Sequence, residues 1–294
     1  MKFKLNLVII CLLCLNYLKA QSSLIVETDS IKIFDTYISE NSKENIFPTI
    51  YKNGLLYISL GKYKIYKLYY SDLKSTSKKI KVSNKFYSGS TTVFNNEIYF
   101  TGKDFVSSNN QENLVIYKGY LEGYKIKKIK KLPICVNQFS YAHPSISKDG
   151  QSMVIVSNEN GKNHLLELKR TKDNEWKKGN PIFITQSNFD IINPTFFNNN
   201  TIYFSTNSSK GDVKEVTYKR MNDKLVVDEI NVEKGDFNIF KVTRVEGIWQ
   251  LPQKAMVFNS EFDDLGVVFI SKNKGYLNTF RYDNADNIFF FELK

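Results

Sequence analysis

The sequence has few of the residues that form disulfides or transition-metal sites. Among 294 residues there are two His, three Cys and six Pro. Cys11 and Cys14 lie in an N-terminal segment that we expect to be removed, which would leave Cys135 without a disulfide partner. Zinc and transition-metal sites need clustered His and Cys ligands, so we expect no metal and no cofactor. No later stretch approaches 18 consecutive apolar residues, and no transmembrane helix is predicted.

The first twenty residues have the pattern of a secretory signal peptide. Lys2 and Lys4 precede the apolar run Leu5–Leu15, which is too short to cross a bilayer. Ala20 is a small residue at a plausible cleavage point. The sequence therefore predicts a signal peptide (1–20) and a mature domain (21–294) that is exported to the periplasm or cell surface and soluble after cleavage. A buried N-terminal helix is the alternative.

The composition favours a folded β-protein. Apolar residues make up 42% of the chain, which excludes a wholly disordered or fibrous protein. Aromatic residues reach 14%, with 22 Phe and 18 Tyr, and these residue types favour strands. The net charge of +11 favours anionic partners, but export argues against nucleic acid.

A hairpin pattern recurs along the chain: a short apolar strand, a tight turn and a second apolar strand. The turns predicted are Asn53-Gly54, Asn95-Asn96, Asp149-Gly150 and Asn198–Asn200, whose residue types adopt the left-handed backbone of short hairpins. A degenerate fifth copy ends in Val267–Ser271. The paired strands are almost continuously apolar and the strands after them alternate, so we expect dry inner strands and half-wet outer strands.

The spacing of the copies is typical of propeller blades. The first four copies recur every 42 to 54 residues, close to the roughly 40–50 residues of a four-stranded blade. The longer interval that follows contains Val213–Val232, which predicts an extra hairpin turning at Asn222-Asp223. Only about three strands remain after Leu265, so Leu24–Ile38 is expected to supply a missing outer strand and close the ring. The predicted fold class is all-β: one closed β-propeller of five or six four-stranded blades, with two stacked sandwiches as the alternative.

The third copy carries a family resemblance. The runs 143–150 (His-Pro-Ser-Ile-Ser-Lys-Asp-Gly) and 156–161 (Val-Ser-Asn-Glu-Asn-Gly) resemble the TolB-type, WD40-like propeller repeat, which reads Pro-x-Phe-Ser-x-Asp-Gly, a strand, then Ser-Asn-x-x-Gly. Residues 258–266 and 275–281 are similar to the same repeat in envelope proteins of Bacteroidota. Those proteins often add an OmpA-like peptidoglycan-binding domain, and some are associated with type IX secretion and gliding. The resemblance covers residues 45–294 and implies an interaction scaffold rather than a reaction; with no OmpA-like segment here, cell-wall anchoring is not expected.

Catalytic motifs are sparse. Asp190, Asp263 and Asp264 precede predicted inner strands and Asp104 follows one, which are positions that a propeller glycosidase could use. Asp263 and Asp264 with Glu261 could instead hold calcium, or could accept hydrogen bonds from backbone amides in the turn, which we favour. No Gly-x-Ser-x-Gly elbow and no phosphate-binding glycine loop occur.

Several further residues have a structural interpretation. The run 147–150 lacks the spacing and the Trp of a sialidase Asp box, so a hairpin turn is predicted. Trp176 and Trp249 each open an outer strand and are expected to pack between sheets. Cys135 is expected to be a small core residue.

One segment is strongly basic. Residues 125–131 read Lys-Ile-Lys-Lys-Ile-Lys-Lys. A solvated edge strand whose lysines prevent further pairing is one interpretation, and attraction to an anionic partner is the other. The basic patch so defined comprises Lys125, Lys127, Lys128, Lys130 and Lys131.

The sequence therefore predicts a non-catalytic exported scaffold that binds an envelope protein or a cell-wall or surface glycan, directly in solution or at a membrane through its partner. The predicted rim contacts, all at the starts of inner strands, are His143, Asn193, Asp263 and Asp264. A secreted carbohydrate-active enzyme or lectin on a five-bladed propeller is the alternative. An enzyme should bring two or three carboxylates within about 5–10 Å of one another in a central pocket.

Overall fold

The computed structural model describes residues 23–39, 43–61, 65–82, 86–106, 111–159, 161–185, 189–208, 213–282 and 285–294. The predicted signal peptide lies outside the described residues. The strands, in chain order, are β1 (Leu24–Glu27), β2 (Ile31–Phe34), β3 (Asn45–Tyr51), β4 (Gly54–Leu60), β5 (Tyr66–Ser71), β6 (Lys78–Lys79), β7 (Phe86–Phe94), β8 (Glu97–Val106), β9 (Gln111–Glu122), β10 (Lys125–Lys131), β11 (Tyr141–Ile146), β12 (Ser152–Ser157), β13 (His164–Arg170), β14 (Trp176–Ile184), β15 (Ile191–Asn198), β16 (Thr201–Thr206), β17 (Val213–Met221), β18 (Lys224–Val232), β19 (Asn238–Val245), β20 (Ile248–Trp249), β21 (Gln253–Lys254), β22 (Asp264–Phe269), β23 (Lys274–Thr279) and β24 (Asn287–Leu293). A 3-10 turn at Met256–Phe258 is the one helical element of these segments, and no helix long and apolar enough to cross a membrane occurs in them.

The strands form five antiparallel sheets arranged as the blades of a propeller. Blade I contains β3–β6, blade II β7–β10 and blade III β11–β14. Blade IV contains β15, β16 and β19, and its outer strand is split into β20 and β21. Blade V runs from β22 through β23, β24 and β2 to β1. Each innermost strand packs beside the next, and β22 packs beside β3, so the ring is closed with five blades.

The ring closes through the N-terminal segment, as the sequence predicts. Strand β2 pairs with β24, bringing Ile33 opposite Phe291. Three asparagines then join blade V to blade I. The Asn278 amide accepts a hydrogen bond from the Phe47 N–H (3.0 Å) and donates one to the Asn45 carbonyl (3.2 Å). The Asn45 amide in turn donates to the side chain of Asn287 (3.0 Å).

The core follows from the patterning of the strands. Central strands such as β4 and β12 are buried along almost their whole length, whereas outer strands such as β10 and β14 alternate with exposed residues. Apolar side chains therefore fill the space between neighbouring blades, where each flat sheet face is covered by the next sheet. The dry inner and half-wet outer strands predicted from sequence are confirmed.

Most predicted turns are confirmed, and one shifts. Asn95 has a φ of 54° and Gly150 a φ of 72°, as their hairpins require. In the first copy, however, Tyr51 pairs directly with Gly54, so the turn is Lys52-Asn53 rather than Asn53-Gly54. Lys52 supplies the positive φ of 52°, a role that the sequence prediction assigned to the glycine.

The extra hairpin is also confirmed. Strands β17 and β18 pair with each other and turn at Asn222-Asp223, both with positive φ. Because the hairpin connects β16 to β19, it is an insertion within blade IV rather than a sixth blade.

Both tryptophans pack between blades, as predicted. Trp176 donates from its indole to the Tyr99 hydroxyl of blade II at 3.3 Å, under the guanidinium of Arg170. Trp249 lies 4.1 Å from the Arg244 guanidinium, which pairs with Glu167 of blade III. Each outer strand is thus tied to the preceding blade by a cation lying on an indole ring.

Candidate functional site

The innermost strands share a bulge that directs side chains to the propeller axis. Phe47, His143 and Asn193 each precede a proline and have a φ between 48° and 55°. The strand pairing shifts at each of these positions, as it does beside Gly266 in β22. The Phe47 and His143 rings belong to blades that are not neighbours, yet their centroids are 5.1 Å apart in an edge-on contact.

These rings close the central channel at mid-depth. The upper face of the propeller carries the starts of the innermost strands and the lower face carries their ends. Phe47, Gly89 and His143 line a cavity on the upper side, while the residues that follow each of them line a cavity on the lower side. On the opposite side of the axis the buried Asn193 amide donates to the Leu265 carbonyl at 3.2 Å. The two cavities have no lining residue in common.

The lower cavity is the larger of the two, at about 490 Å³, and all five innermost strands contribute to it. Its hydroxyl groups hold the blades together. Thr49 donates to the Thr91 carbonyl at 2.6 Å, and Thr195 donates to the Val267 carbonyl at 2.6 Å. In two further contacts between blades the hydroxyl is the acceptor. The Thr92 hydroxyl accepts the Ile146 N–H, and the Ser145 hydroxyl accepts the Phe196 N–H. These oxygens are already engaged in stabilising the ring.

The mouth of the lower cavity combines apolar and positively charged groups. Ile50 and Ile270 are 37% and 50% exposed beside it. Lys148 lines both this cavity and an adjacent shallow one that also contains Arg244 and the asparagines of the β15–β16 turn. No carboxylate is among the described residues that line either space, so the charged groups at this mouth are the cations Lys148 and Arg244.

The upper cavity is smaller, about 220 Å³, and mainly aromatic. Its lining comprises Ile46, Phe47, Tyr66, Tyr87, Gly89, Thr101, Leu114 and His143. The Tyr66 hydroxyl donates to Glu44, whose carboxylate lies just before β3. Burial lowers the pKa of His143 to about 4, so the ring is neutral at physiological pH.

Acidic side chains gather on the upper side between blades V and I. Burial, reinforced by the negative charges of Glu44, Asp263 and Asp264, raises the pKa of Asp286 to about 7. One oxygen of Asp286 is buried and has no hydrogen-bond partner within the described structure. Burial also raises the pKa of Asp263, since its one backbone hydrogen bond, from Phe237, does not compensate fully. The raised pKa values of Asp286 and Asp263 are the most perturbed electrostatic feature of the upper face.

The four predicted rim residues divide into two pairs. His143 and Asn193 both lie in the axial layer, the level of the propeller axis between the upper and lower cavities. The His143 ring accepts the Ser90 N–H there at 3.3 Å. Asp263 lies just before β22, and Asp264 is the first residue of that strand. Asp264 is fully buried, accepts the Ser260 N–H at 2.6 Å and pairs with Arg281 at 2.5 Å, so it does not reach the rim. Both aspartates accept backbone amides, as the turn interpretation predicts.

The remaining candidates have structural partners. Asp190 pairs with Lys234 at 2.7 Å and Asp104 with Lys131 at 2.8 Å. Cys135 is buried in the core, and burial raises the pKa of its thiol to about 11, which argues against a nucleophilic role. No group of three His, Cys, Asp or Glu that could hold a metal ion occurs among the described residues.

The basic patch forms β10, the outermost strand of blade II. Lys125, Lys127, Lys128 and Lys130 are exposed and Ile126 is buried. This is the edge-strand geometry that the sequence predicts, except that Lys125 forms an isolated parallel bridge with Lys81 of the preceding blade.

Sequence reasoning missed Phe47, Tyr66, Tyr87 and Asp286. The Phe47-Pro48 pair repeats the pattern of His143-Pro144 and Asn193-Pro194, so this signal was available for the axial layer. Nothing local marks the other three, because they lie in separate strands and loops that only the closed ring brings together.

Comparisons with known proteins support the fold alone. No family model matches the chain, and no curated protein matches it. An endo-arabinase from Bacteroides thetaiotaomicron is similar, with a TM-score of 0.52, 12% identity, and coverage of 86% of this chain and 94% of that one. TolB from Acinetobacter baumannii has a TM-score of 0.45 and 14% identity over 85% of this chain and 54% of its own. A β-fructofuranosidase from Bombyx mori has a TM-score of 0.49 and 11% identity over 84% of this chain, which spans 58% of that protein. Of these three, the endo-arabinase has a TM-score above 0.5, and at 12% identity it supports the propeller fold alone.

Proposed function

We propose that this protein is an exported, non-catalytic β-propeller scaffold that binds another protein of the cell envelope through its lower face. The observation that carries the proposal is the lower cavity, which draws on all five blades and has no carboxylate in its described lining. Four of its hydroxyls, those of Thr49, Thr92, Ser145 and Thr195, make contacts between blades. A rigid cavity without a reacting group is suited to holding a ligand rather than transforming one.

The chemistry of the mouth indicates the partner. Ile50, Phe196 and Ile270 offer apolar contacts, and Lys148 and Arg244 lie beside them. An extended segment with one apolar side chain and acidic neighbours would fit this mouth. The apolar side chain would be buried in the cavity, and the acidic residues would lie near the cations. The family resemblance adds a link to secretion or gliding machinery as the finer form of the proposal.

In-cell photocrosslinking tests the scaffold proposal. A photoreactive amino acid at Ile270 should trap a defined envelope protein, and Lys148→Glu should reduce its yield at least fivefold by repelling the acidic segment. A probe at Leu251, exposed on the outer edge of blade IV, is the matched control and should not trap that protein. If both probes capture the same background proteins, the lower face is not a specific site. Export predicts a purified chain that begins at Gln21, which mass spectrometry would check.

A glycan hydrolase remains a second candidate because of one observation, the raised pKa of Asp286 beside Glu44. A carboxyl whose pKa is raised by burial and by a neighbouring carboxylate is suited to act as a general acid. Release of reducing sugar from plant or bacterial polysaccharides would favour this candidate, provided that Asp286→Asn abolishes it. No release from a broad polysaccharide panel favours the scaffold.

A further inference from the structure

The upper cavity is a small chamber walled by rings. Phe47 and His143 form its floor, in edge-on contact at 5.1 Å. Tyr66 and Tyr87 complete the aromatic wall, and Tyr87 is 38% exposed, so its ring stands at the opening. At about 220 Å³ the cavity is below the usual 300–1,000 Å³ of small-molecule sites, so it suits a compact group rather than a sugar chain.

Much of the hydrogen-bonding capacity of the wall is already used. The Thr101 hydroxyl accepts the His143 N–H at 2.9 Å. The Tyr66 hydroxyl donates to Glu44, and the His143 ring accepts the Ser90 N–H. A sugar or a phosphate needs several free donors and acceptors, whereas four of the eight residues that line this cavity carry aromatic rings.

The charge around the chamber favours a cation. No Lys or Arg is among its described lining residues, and burial keeps His143 neutral. Glu44 is held at its edge by Tyr66, and its negative charge contributes to the raised pKa of the nearby Asp286. The Lys103 ammonium lies 4.8 Å from the Tyr87 centroid, and its charge is balanced by Glu112 at 2.6 Å.

We propose that the upper cavity binds a small organic ammonium ion, with a quaternary or methylated nitrogen seated against the Tyr66, Tyr87 and Phe47 rings. The negative faces of aromatic rings attract such a cation without requiring hydrogen bonds. Glu44 supplies the compensating charge at the edge of the chamber. Methyl groups on the nitrogen match the apolar Ile46 and Leu114 beside the rings.

Calorimetric titration tests this site with the whole chain. Choline and tetramethylammonium should bind with dissociation constants of about 1–10 mM. The neutral isostere 3,3-dimethyl-1-butanol, which keeps the shape of choline without the charge, should bind at least tenfold more weakly. Equal binding of the isostere would show an apolar cavity without charge recognition and overturn the proposal. Binding of an aldose in place of choline would overturn it too, as would no saturable choline binding up to about 100 mM.

Variants separate the site from general effects. Tyr87→Leu should weaken choline binding by about 5- to 30-fold, whereas Tyr87→Phe, which keeps the ring, should stay within twofold. Tyr120→Leu removes a similarly exposed ring from the outer part of blade II and should leave binding unchanged. Glu44→Gln should reduce the preference for choline over its isostere. If Tyr87→Leu binds choline as the unaltered chain does, with the same thermal midpoint, the ring is not part of a site and the proposal fails.

Discussion

The asparagine contacts that close the ring predict that Asn278→Ala is severely destabilising. Asn278 is fully buried, and its amide satisfies the Phe47 N–H and the Asn45 carbonyl across the junction of blades V and I. Alanine would leave both backbone groups buried without these partners, at about 1–3 kcal/mol each. A small cavity adds roughly 1 kcal/mol. We expect the free energy of unfolding to fall by about 3–7 kcal/mol.

Urea unfolding followed by tryptophan fluorescence measures this change, because Trp176 and Trp249 are packed between blades and report on their separation. Asn96→Ala, in the exposed turn of blade II, is the matched control and should alter stability by less than about 0.5 kcal/mol. A loss below about 1 kcal/mol in Asn278→Ala, with the unfolding slope unchanged, would mean that backbone pairing of β2 with β24 closes the ring without help from the asparagines.

Three further changes follow from the same contacts. Asp286→Asn should remove a pH dependence of stability. The folded pKa of Asp286, about 7, lies above the ordinary 3.8, so protonation favours the folded state. The free energy of unfolding of the unaltered chain should therefore fall by about 2 kcal/mol, after screening, as pH rises from 4 to 7. Urea midpoints across that range would show no such loss in the variant. Glu167→Gln should cost about 2–4 kcal/mol in urea, because it leaves a half-buried guanidinium of blade IV without its counter-charge. Gly266→Ala should lower the thermal midpoint far more than Gly123→Ala. Both glycines have positive φ, but only an alanine at position 266 would place a Cβ 2.1 Å from the buried Asn193 amide. Equal losses would assign the whole effect to backbone strain.

The local structure was largely predictable from the sequence. Turn chemistry located the Asn95-Asn96 and Asn222-Asp223 hairpins, and β-branched and aromatic runs located the strands. The closing strand at Ile31–Phe34 followed from counting the strands left after Leu265. The first turn was displaced by one residue because Lys52 adopts the left-handed conformation that glycine usually supplies.

The site was less predictable because its parts are distant in sequence. Phe47 and Asn278 are 231 residues apart, and no periodicity reports a contact of that kind. Asp264 precedes an inner strand, as a rim residue would, yet the Arg281 guanidinium and the Ser260 amide hold it inside blade V. Position along a strand predicts which end of the propeller a residue occupies, but not whether its side chain is exposed there.

The layer formed by Phe47 and His143 separates the two proposed sites. No residue lines both cavities, and each ring is held at a bulge of its own strand. A ligand in one cavity would therefore not contact a ligand in the other, and we expect neither to displace the other. A single chain could then bridge two different molecules at once, one on each face of the disc.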